Sequence, residues 1–417
     1  MLASTDCKGG VAMEEKDISL LLETSSRLID EVSLDFRRYL CSQIEWNDRL
    51  ICIKGPKGCG KTTLMLQHIK EAFGASSDKA VYLALDHIWF ASHDVLDAVE
   101  WLYTHGCTHL FLDEVHHVEH WARLVKTICD SYPKLKLVFS GSSVLQLTAA
   151  QADLSRRQAV YNLEGLSFRE FLKFEKGVDH PPMSMDDLIV HHRALAMEIS
   201  RGRKILPLFD DYLRHGYYPF GKEAKSQFGQ RLAAVVGTVL DVDFPKVVDV
   251  SASTVRKTKK MLMILATSCP QTPNMSELYA ELETDRNAGI KMFDVLEKAE
   301  LVASVALEGK NAKLKRLGVA EKLFLGDTNL MYALVASPDV GAVRETFFAN
   351  QMRASGLSYA IPPKGDFNVS DRWLFEIGGK GKGFSQIKDI PDSYVVNDGI
   401  ETGMGNKIPL WLFGFLY

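Results

Sequence analysis

The sequence predicts an α/β chain: a doubly wound parallel-sheet domain, then a helical stretch with a two-stranded hairpin, then a small mixed α/β domain. Three observations carry the first domain. An apolar run, a glycine-rich loop and a helix-spaced run follow one another over residues 50–73. A second apolar run, Leu110-Phe111-Leu112, ends in Asp113 and Glu114. A third, "KLKLVF", ends at Ser140, Ser142 and Ser143. Apolar runs that alternate with helical spacing build a parallel sheet with helices on both faces. Ligands then collect at the carboxyl ends of the strands.

The first element is the loop. In "RLICIKGPKGCGKTTLMLQHIKEAF", Gly55, Gly60, Lys61 and Thr62 fit the spacing G-x-x-x-x-G-K-[ST]. Small residues let backbone N–H groups wrap phosphates, the lysine reaches the β- and γ-phosphates, and the hydroxyl meets Mg²⁺. Residues Gly55, Pro56, Lys57, Gly58, Cys59, Gly60, Lys61, Thr62 and Thr63 are the expected nucleotide cradle. "RLICIK" reads as the buried strand before it. Leu64, Leu66, Ile69 and Phe73 give the helix after it an apolar side, and the helix N-terminus favours an anion.

The second element, "THLFLDEVHH", supplies the partner that such a loop needs. Asp113 is expected in the Mg²⁺ shell beside Thr62, and Glu114 is expected to orient and polarise the attacking water. "KAVYLALD" is a further strand, ending at Asp86. Past "KLKLVF", a side chain among Ser140, Ser142 and Ser143 could contact the γ-phosphate or the water; helix capping by serine is the alternative, and Ser142 and Ser143 could do one job each.

Composition agrees with a soluble, multi-domain protein. The 417 residues are 46% hydrophobic and 24% charged, with a formal net charge of -4. No global basic excess points to nucleic acid, so any such contact must come from local patches. The seven cysteines contain no C-x-x-C pair, which argues against a zinc site or a disulfide framework and for a reducing cytoplasm. No signal peptide or apolar run of membrane-spanning length is present, so no membrane partner is expected.

Together these pieces resemble AAA-type ATPases. More closely, they resemble the prokaryotic ATPases that join an AAA core to a C-terminal domain of unknown function. The resemblance rests on "GPKGCGKTTLM", "YLALD", "LFLDEVHHVEHWARLVKTICD", "VFSGSS" and "LEGLSFREFL". It continues through "YLRHGYYPF", "FLGDTNLMYAL", "RETFFANQM" and "FEIGGKGKGFSQI". It implies that Lys61 and Thr62 bind phosphate and Mg²⁺, that Asp113 is the Mg²⁺-site acid, that Glu114 is the base and that Ser142 is the sensor. It also implies a candidate arginine finger in "DLSRRQAVYNL", at Arg156 or Arg157, with Arg157 preferred. A surface arginine pair is the alternative. A finger acting in trans would require an oligomer. Cys59 departs from the small or aliphatic residue usual before Gly60, and would make the loop sensitive to oxidation.

Residues 166–250 read as a helical linker or lid. "LSFREFLKFEKG" carries a capping box, Ser167 with Glu170, and the aromatics of "LPLFDDYLRHGYYPF" read as core packing. Residues 251–330 read as three helices and a hairpin, with "VASVAL" and "KLKRL" around the tip "EGKNAKL". That is a winged-helix pattern, whose third helix can enter a DNA major groove. Lys257, Lys259, Lys260, Lys291, Lys310, Lys313, Lys315 and Arg316 can neutralise phosphates there; a protein contact or a solvated face is the alternative.

Residues 331–417 end in "KGDFNVSDRWLFEIGGKGKGFSQIKDI". Strands "DFNV" and "WLFEIGG" place Asp366, Glu376 and Lys380 near one another, with Glu345 on an earlier helix. Two carboxylates and a lysine can hold a divalent metal and activate water. The stretch resembles restriction-endonuclease-like nucleases, although Gly378 stands at their lysine position. An active nuclease, a nuclease-like fold that only binds, and a glycine turn with solvated lysines all fit. The expected whole is a cytoplasmic ATPase: an AAA-like domain over residues 1–165, then the three segments above, using ATP and Mg²⁺. An ATP-gated nuclease and a slow nucleotide switch on a scaffold are the alternatives. A small-molecule kinase would need an acceptor pocket and an arginine-rich lid, and no such stretch stands out.

Overall fold

The computed structural model describes residues 15–142, 154, 156–223, 225–247, 250–308 and 321–417. Five strands form the first sheet: β1 (Leu50–Gly55), β2 (Ala80–Ala84), β3 (His109–Asp113), β4 (Lys136–Ser142) and β5 (Ala159–Asn162). All are parallel, in the order β2-β3-β4-β1-β5. The β1 strand is therefore central, and its end meets the ends of β4 and β3. Both faces are covered, as an all-parallel sheet requires. Leu50 and Cys52 face a core shared with helices Val95–Thr104 and Trp121–Ser131. Ile51 and Ile53 face the opposite core, shared with helix Lys61–Ala72. An N-terminal helix, Glu15–Glu31, reaches both cores through Ile18 and Ile29. The sequence reading had no element there.

Helix Phe168–Lys176 opens the second half behind the expected capping box: Glu170 N–H donates to Ser167 Oγ, and Ser167 N–H to Glu170. Helices Met185–Ser200, Ile205–Asp211 and Phe228–Thr238 follow. Helices Ala252–Ser268, Met275–Glu281 and Arg286–Lys298 come next, with a two-stranded antiparallel ribbon, β6 (Val302–Val305) and β7 (Lys322–Leu325). The described partner of β6 is thus "KLFL". The expected strand "KLKRL" lies outside the described residues, as do Lys310, Lys313, Lys315 and Arg316.

Helices Thr328–Leu334 and Val340–Ala354 lead to the last sheet. It comprises β8 (Tyr359–Ala360), β9 (Phe367–Val369), β10 (Trp373–Gly378), β11 (Ser393–Asn397) and β12 (Lys407–Pro409), in the order β12-β11-β10-β9-β8. The β8-β9-β10 pairs are antiparallel and the β10-β11-β12 pairs parallel. One continuous apolar core runs from Phe168 to Leu416, so the segments expected as separate units pack as one body. The C-terminal turn Leu410–Phe415 is buried in it. Arg169 Nε donates to the Tyr417 carbonyl at 2.9 Å, which ties the chain end to the helix beside the glycine-rich loop. Among the described residues no helix is long and apolar enough to cross a membrane.

Candidate nucleotide site

The glycine-rich loop joins β1 to helix Lys61–Ala72, and its shape depends on missing side chains. Gly58 has φ +89°, and a Cβ there would lie 2.8 Å from the Phe220 ring. A Cβ on Gly55 would sit 2.2 Å from the Leu163 carbonyl oxygen on the neighbouring strand's exit. Lys61 is buried, and its Nζ donates to the carbonyls of Gly55 (3.0 Å) and Pro56 (3.2 Å). Burial alone would lower its pKa. Cys59, Glu114 and Asp113 outweigh that and hold the ammonium above the usual lysine value.

The end of β3 brings the acids to this loop, and β2 and β4 brace them. The Thr62 hydroxyl donates to Asp113 Oδ2 at 2.5 Å, and Tyr82 of β2 donates to the same oxygen at 2.8 Å. Ser140 Oγ donates to Asp113 Oδ1, and Glu114 N–H donates to that oxygen as well. The serine on the acid is therefore Ser140. The β3–β4 register sets Leu112 opposite Phe139 and so brings Asp113 level with Ser140. Ser142 is buried opposite Gly55 on β1, and Ser143 lies outside the described residues. Glu114 has φ +53°, a left-handed conformation that a non-glycine residue adopts at a cost.

A cleft of about 800 Å³ opens beside the loop. Gly58, Gly60, Lys61, Thr62, Thr63 and Glu114 line it. So do the rings of Phe36, Phe174 and Phe220 and the charged Arg38, Lys173 and Lys222, and the rings of Phe36 and Phe174 are 4.8 Å apart. The size suits a small-molecule ligand. The loop residues suit phosphates, and the aromatic rings suit a planar base. Thr62 and Asp113 fit Mg²⁺, since a hydroxyl and a carboxylate converge there at the end of β3.

Residues without a motif complete the site. Arg38 is buried; it donates to the Cys59 carbonyl (2.5 Å), the Glu164 and Gly165 carbonyls (2.7 and 2.9 Å) and Glu170 (3.1 Å). It fastens the loop to helix Phe168–Lys176. Cys59 is fully buried, and burial pushes its thiol up, so the expected oxidation sensitivity is not supported: the reactive thiolate is disfavoured. Pro219 and Phe220 lie over the loop, against Gly60 and Gly58. The "HGYYPF" aromatics thus cover the loop as well as packing the core.

From that turn, contacts run into the second half. Tyr218 OH donates to Asp327 Oδ2 at 2.9 Å, and Asp327 caps helix Thr328–Leu334 by accepting from Leu330 N–H at 2.8 Å. Asn329 accepts from Tyr217 N–H and donates to the Tyr212 and Leu213 carbonyls, where the chain loosens into a π-helical turn, Tyr212–Gly216. Burial pushes the Asp327 carboxyl up to about 6.

The remaining expected residues lie elsewhere. Arg157 pairs with Asp130 at 2.5 Å and both are half exposed; Arg156 is exposed. In the last sheet, Asp366 and Glu376 are neighbours across the β9–β10 pairing. Ile377 N–H donates to Asp366 at 2.6 Å. Burial, with Glu345 and Glu376 adding to it, pushes that carboxyl up to about 6. The lysine on Glu376 is Lys382, which folds back over Gly378; Lys380 is exposed. Lys322 pairs with Glu345. Among the described residues, Glu114, His116 and His117 are the three that bring metal-ligand atoms within 4.8 Å of one another. Lys246 Nζ already sits 2.8 Å from His117 Nδ1.

Residues 47–172 match the family model of an AAA domain, and residues 206–340 match a domain of unknown function (DUF8612). The N-terminal unit has the AAA-type P-loop fold. A relative, the uncharacterized protein MJ1637 of Methanocaldococcus jannaschii, is 25% identical over 396 residues, covering 87% of this chain and 82% of its own. Among solved structures, the Aeropyrum pernix Orc1 protein in complex with DNA aligns with 77% of this chain and 92% of its own, at 13% identity and a TM-score of 0.32. AMPPCP-bound DnaA from Aquifex aeolicus aligns with 69% and 89%, at 14% identity and a TM-score of 0.25. The AAA domain thus spans β1 to the helix at Phe168, and the Tyr218–Phe220 turn over its P-loop comes from beyond it.

Proposed function

We propose that this protein binds ATP with Mg²⁺ and hydrolyses it to ADP and phosphate, and that its second half responds to the nucleotide. One observation carries the reading. The P-loop hydroxyl of Thr62 and the strand-end acid Asp113, 51 residues apart, meet at 2.5 Å beside a cleft that Glu114 also lines.

Each residue then has a task. Backbone N–H groups of residues 55–61 wrap the phosphates, and Lys61 leaves the Gly55 and Pro56 carbonyls for the β- and γ-oxygens. Thr62 and Asp113 hold Mg²⁺, which when bound neutralises charge on the phosphates. Tyr82 and Ser140 hold the Asp113 carboxylate in place. Glu114 accepts a proton from the attacking water. Phe36, Phe174 and Phe220 exclude solvent from the base.

The Tyr218–Asp327 hydrogen bond is the support for the response of the second half. It links the turn over the P-loop to helix Thr328–Leu334. Movement of Phe220 on nucleotide binding would act on that helix, in the manner of γ-phosphate switches. Phosphate release lost in Glu114→Gln, and altered hydrogen exchange at residues 327–334 with ATP, would support this pair of claims. Exchange unchanged by ATP would remove the second.

Nucleic-acid contact by the three-helix and ribbon segment has weaker support. Lys257, Lys259 and Lys260 engage the Glu283 carbonyl, Asp241 and the Glu281 carbonyl. The groups in and beside the last sheet are likewise matched: Lys382 with Glu376, Lys322 of β7 with Glu345 of helix Val340–Ala354, and Ile377 N–H with Asp366. This internal pairing favours a supporting role over strand cleavage. Metal-dependent nicking of plasmid, abolished by Glu376→Ala, would reverse that preference.

A further inference from the structure

Around Glu114, four side chains from three parts of the chain form a line that the hydrolysis scheme does not use. His116 is fully buried. Its Nδ1 lies 3.3 Å from Glu114 Oε2, and its Nε2 lies 3.4 Å from Asp243 Oδ1. Asp243 is also fully buried, and its other oxygen lies 3.1 Å from Nζ of Lys57, inside the P-loop. Asp243 ends a π-helical turn, Val239–Asp243, in the helical segment after the AAA domain. Three residues on, Lys246 meets His117. The 239–246 stretch is thus seated on both the acid loop and the P-loop.

The chemistry of the line is directional. Burial alone would push the Asp243 carboxyl up, but the His116 and Lys57 contacts more than offset it and hold it below the usual aspartate range. Asp243 is therefore an anion that fixes the far side of the imidazole. The near side faces Glu114. Both His116 contacts are at ion-pair distance, and among the described residues Glu114 Oε2 and both ring nitrogens make no well-aligned hydrogen bond. The imidazole is fully buried and the Glu114 side chain is 18% exposed, so the carboxylate is the member of the pair with room to turn.

We propose that His116 is a positioning residue for Glu114, and that Asp243 sets it, so that the 239–246 segment controls how Glu114 points. This rests on the reading that Glu114 prepares the attacking water. A shift of that segment, by a partner or by the second half, would then change turnover without altering how tightly ATP is held.

The test uses the full chain, with Mg²⁺-dependent phosphate release and the affinity for a fluorescent ATP analogue measured in parallel. His116→Ala is expected to lower kcat about 10- to 100-fold, the size of a misaligned catalytic group, with Kd changed by less than about threefold. Retained affinity also reports that the variant folds. His116→Gln, which keeps a donor, is expected to recover part of kcat and carries the test if the alanine variant does not fold. Glu114-dependent turnover that His116→Ala leaves within about twofold overturns this inference alone, as does a loss of kcat matched by an equal loss of affinity. No turnover by the wild type removes the parent reading and this one with it.

Discussion

Asp327 gives the sharpest test of the link between the P-loop turn and the second half. It is buried, it caps helix Thr328–Leu334, and it accepts the Tyr218 hydroxyl. Burial pushes its carboxyl up to about 6, against an ordinary 3.8. The folded state therefore keeps a proton on Asp327 that the unfolded chain releases. Between pH 3.8 and about 6 the folded state binds more protons, so stability falls as pH rises through this window. At about 1.4 kcal/mol per unit, the loss approaches about 3 kcal/mol above pH 6. Asp327→Asn removes the ionisation and keeps an oxygen for the N-cap, and its NH2 group can donate to the Tyr218 hydroxyl oxygen in place of the present bond. From unfolding in urea at each pH, the wild type should lose about 2.5 kcal/mol relative to the variant between pH 4 and pH 7. Taking the difference cancels carboxylates common to both. A difference that stays flat across that range would refute the reasoning, because Asp327 would then be no more reluctant to ionise folded than unfolded.

Other expectations follow from single contacts. Arg38→Met leaves Glu170 buried without its cation and should cost about 3–5 kcal/mol in chemical unfolding. Lys61→Ala should weaken ATP about 10- to 100-fold by calorimetry, the worth of a hydrogen bond to a charged group. Gly58→Ala places a Cβ 2.8 Å from Phe220 at φ +89°, so it should lower thermal stability by about 1–2 kcal/mol and weaken nucleotide binding. In native protein at pH 7.5, iodoacetamide should modify Cys41 before buried Cys59, as read by peptide mass spectrometry; early labelling of Cys59 would show that the loop opens.

What the sequence disclosed was the chemistry that needs contiguous residues. A phosphate loop requires glycines, lysine and threonine within eight positions, and Asp113 and Glu114 must follow a strand, so both were legible. The serine was legible only as a choice, since selecting Ser140 over Ser142 needs the β3–β4 register. Arg38, Asp243 and the Tyr218–Asp327 pair carry no local pattern. Their partners lie 132, 186 and 109 residues away, so only packing reveals them. The pairing of β6 with "KLFL" was not legible, because a short apolar run does not say which strand it will meet. His116 was visible in "DEVHH", but nothing adjacent marks it as facing two carboxylates.

The most direct test of the account is phosphate release from ATP with Mg²⁺, comparing wild type with Glu114→Gln, each with and without duplex DNA. The account predicts turnover in the wild type that the substitution abolishes while ATP still binds. Turnover unchanged by Glu114→Gln would contradict it, since the carboxylate beside Asp113 would then have no part in the reaction.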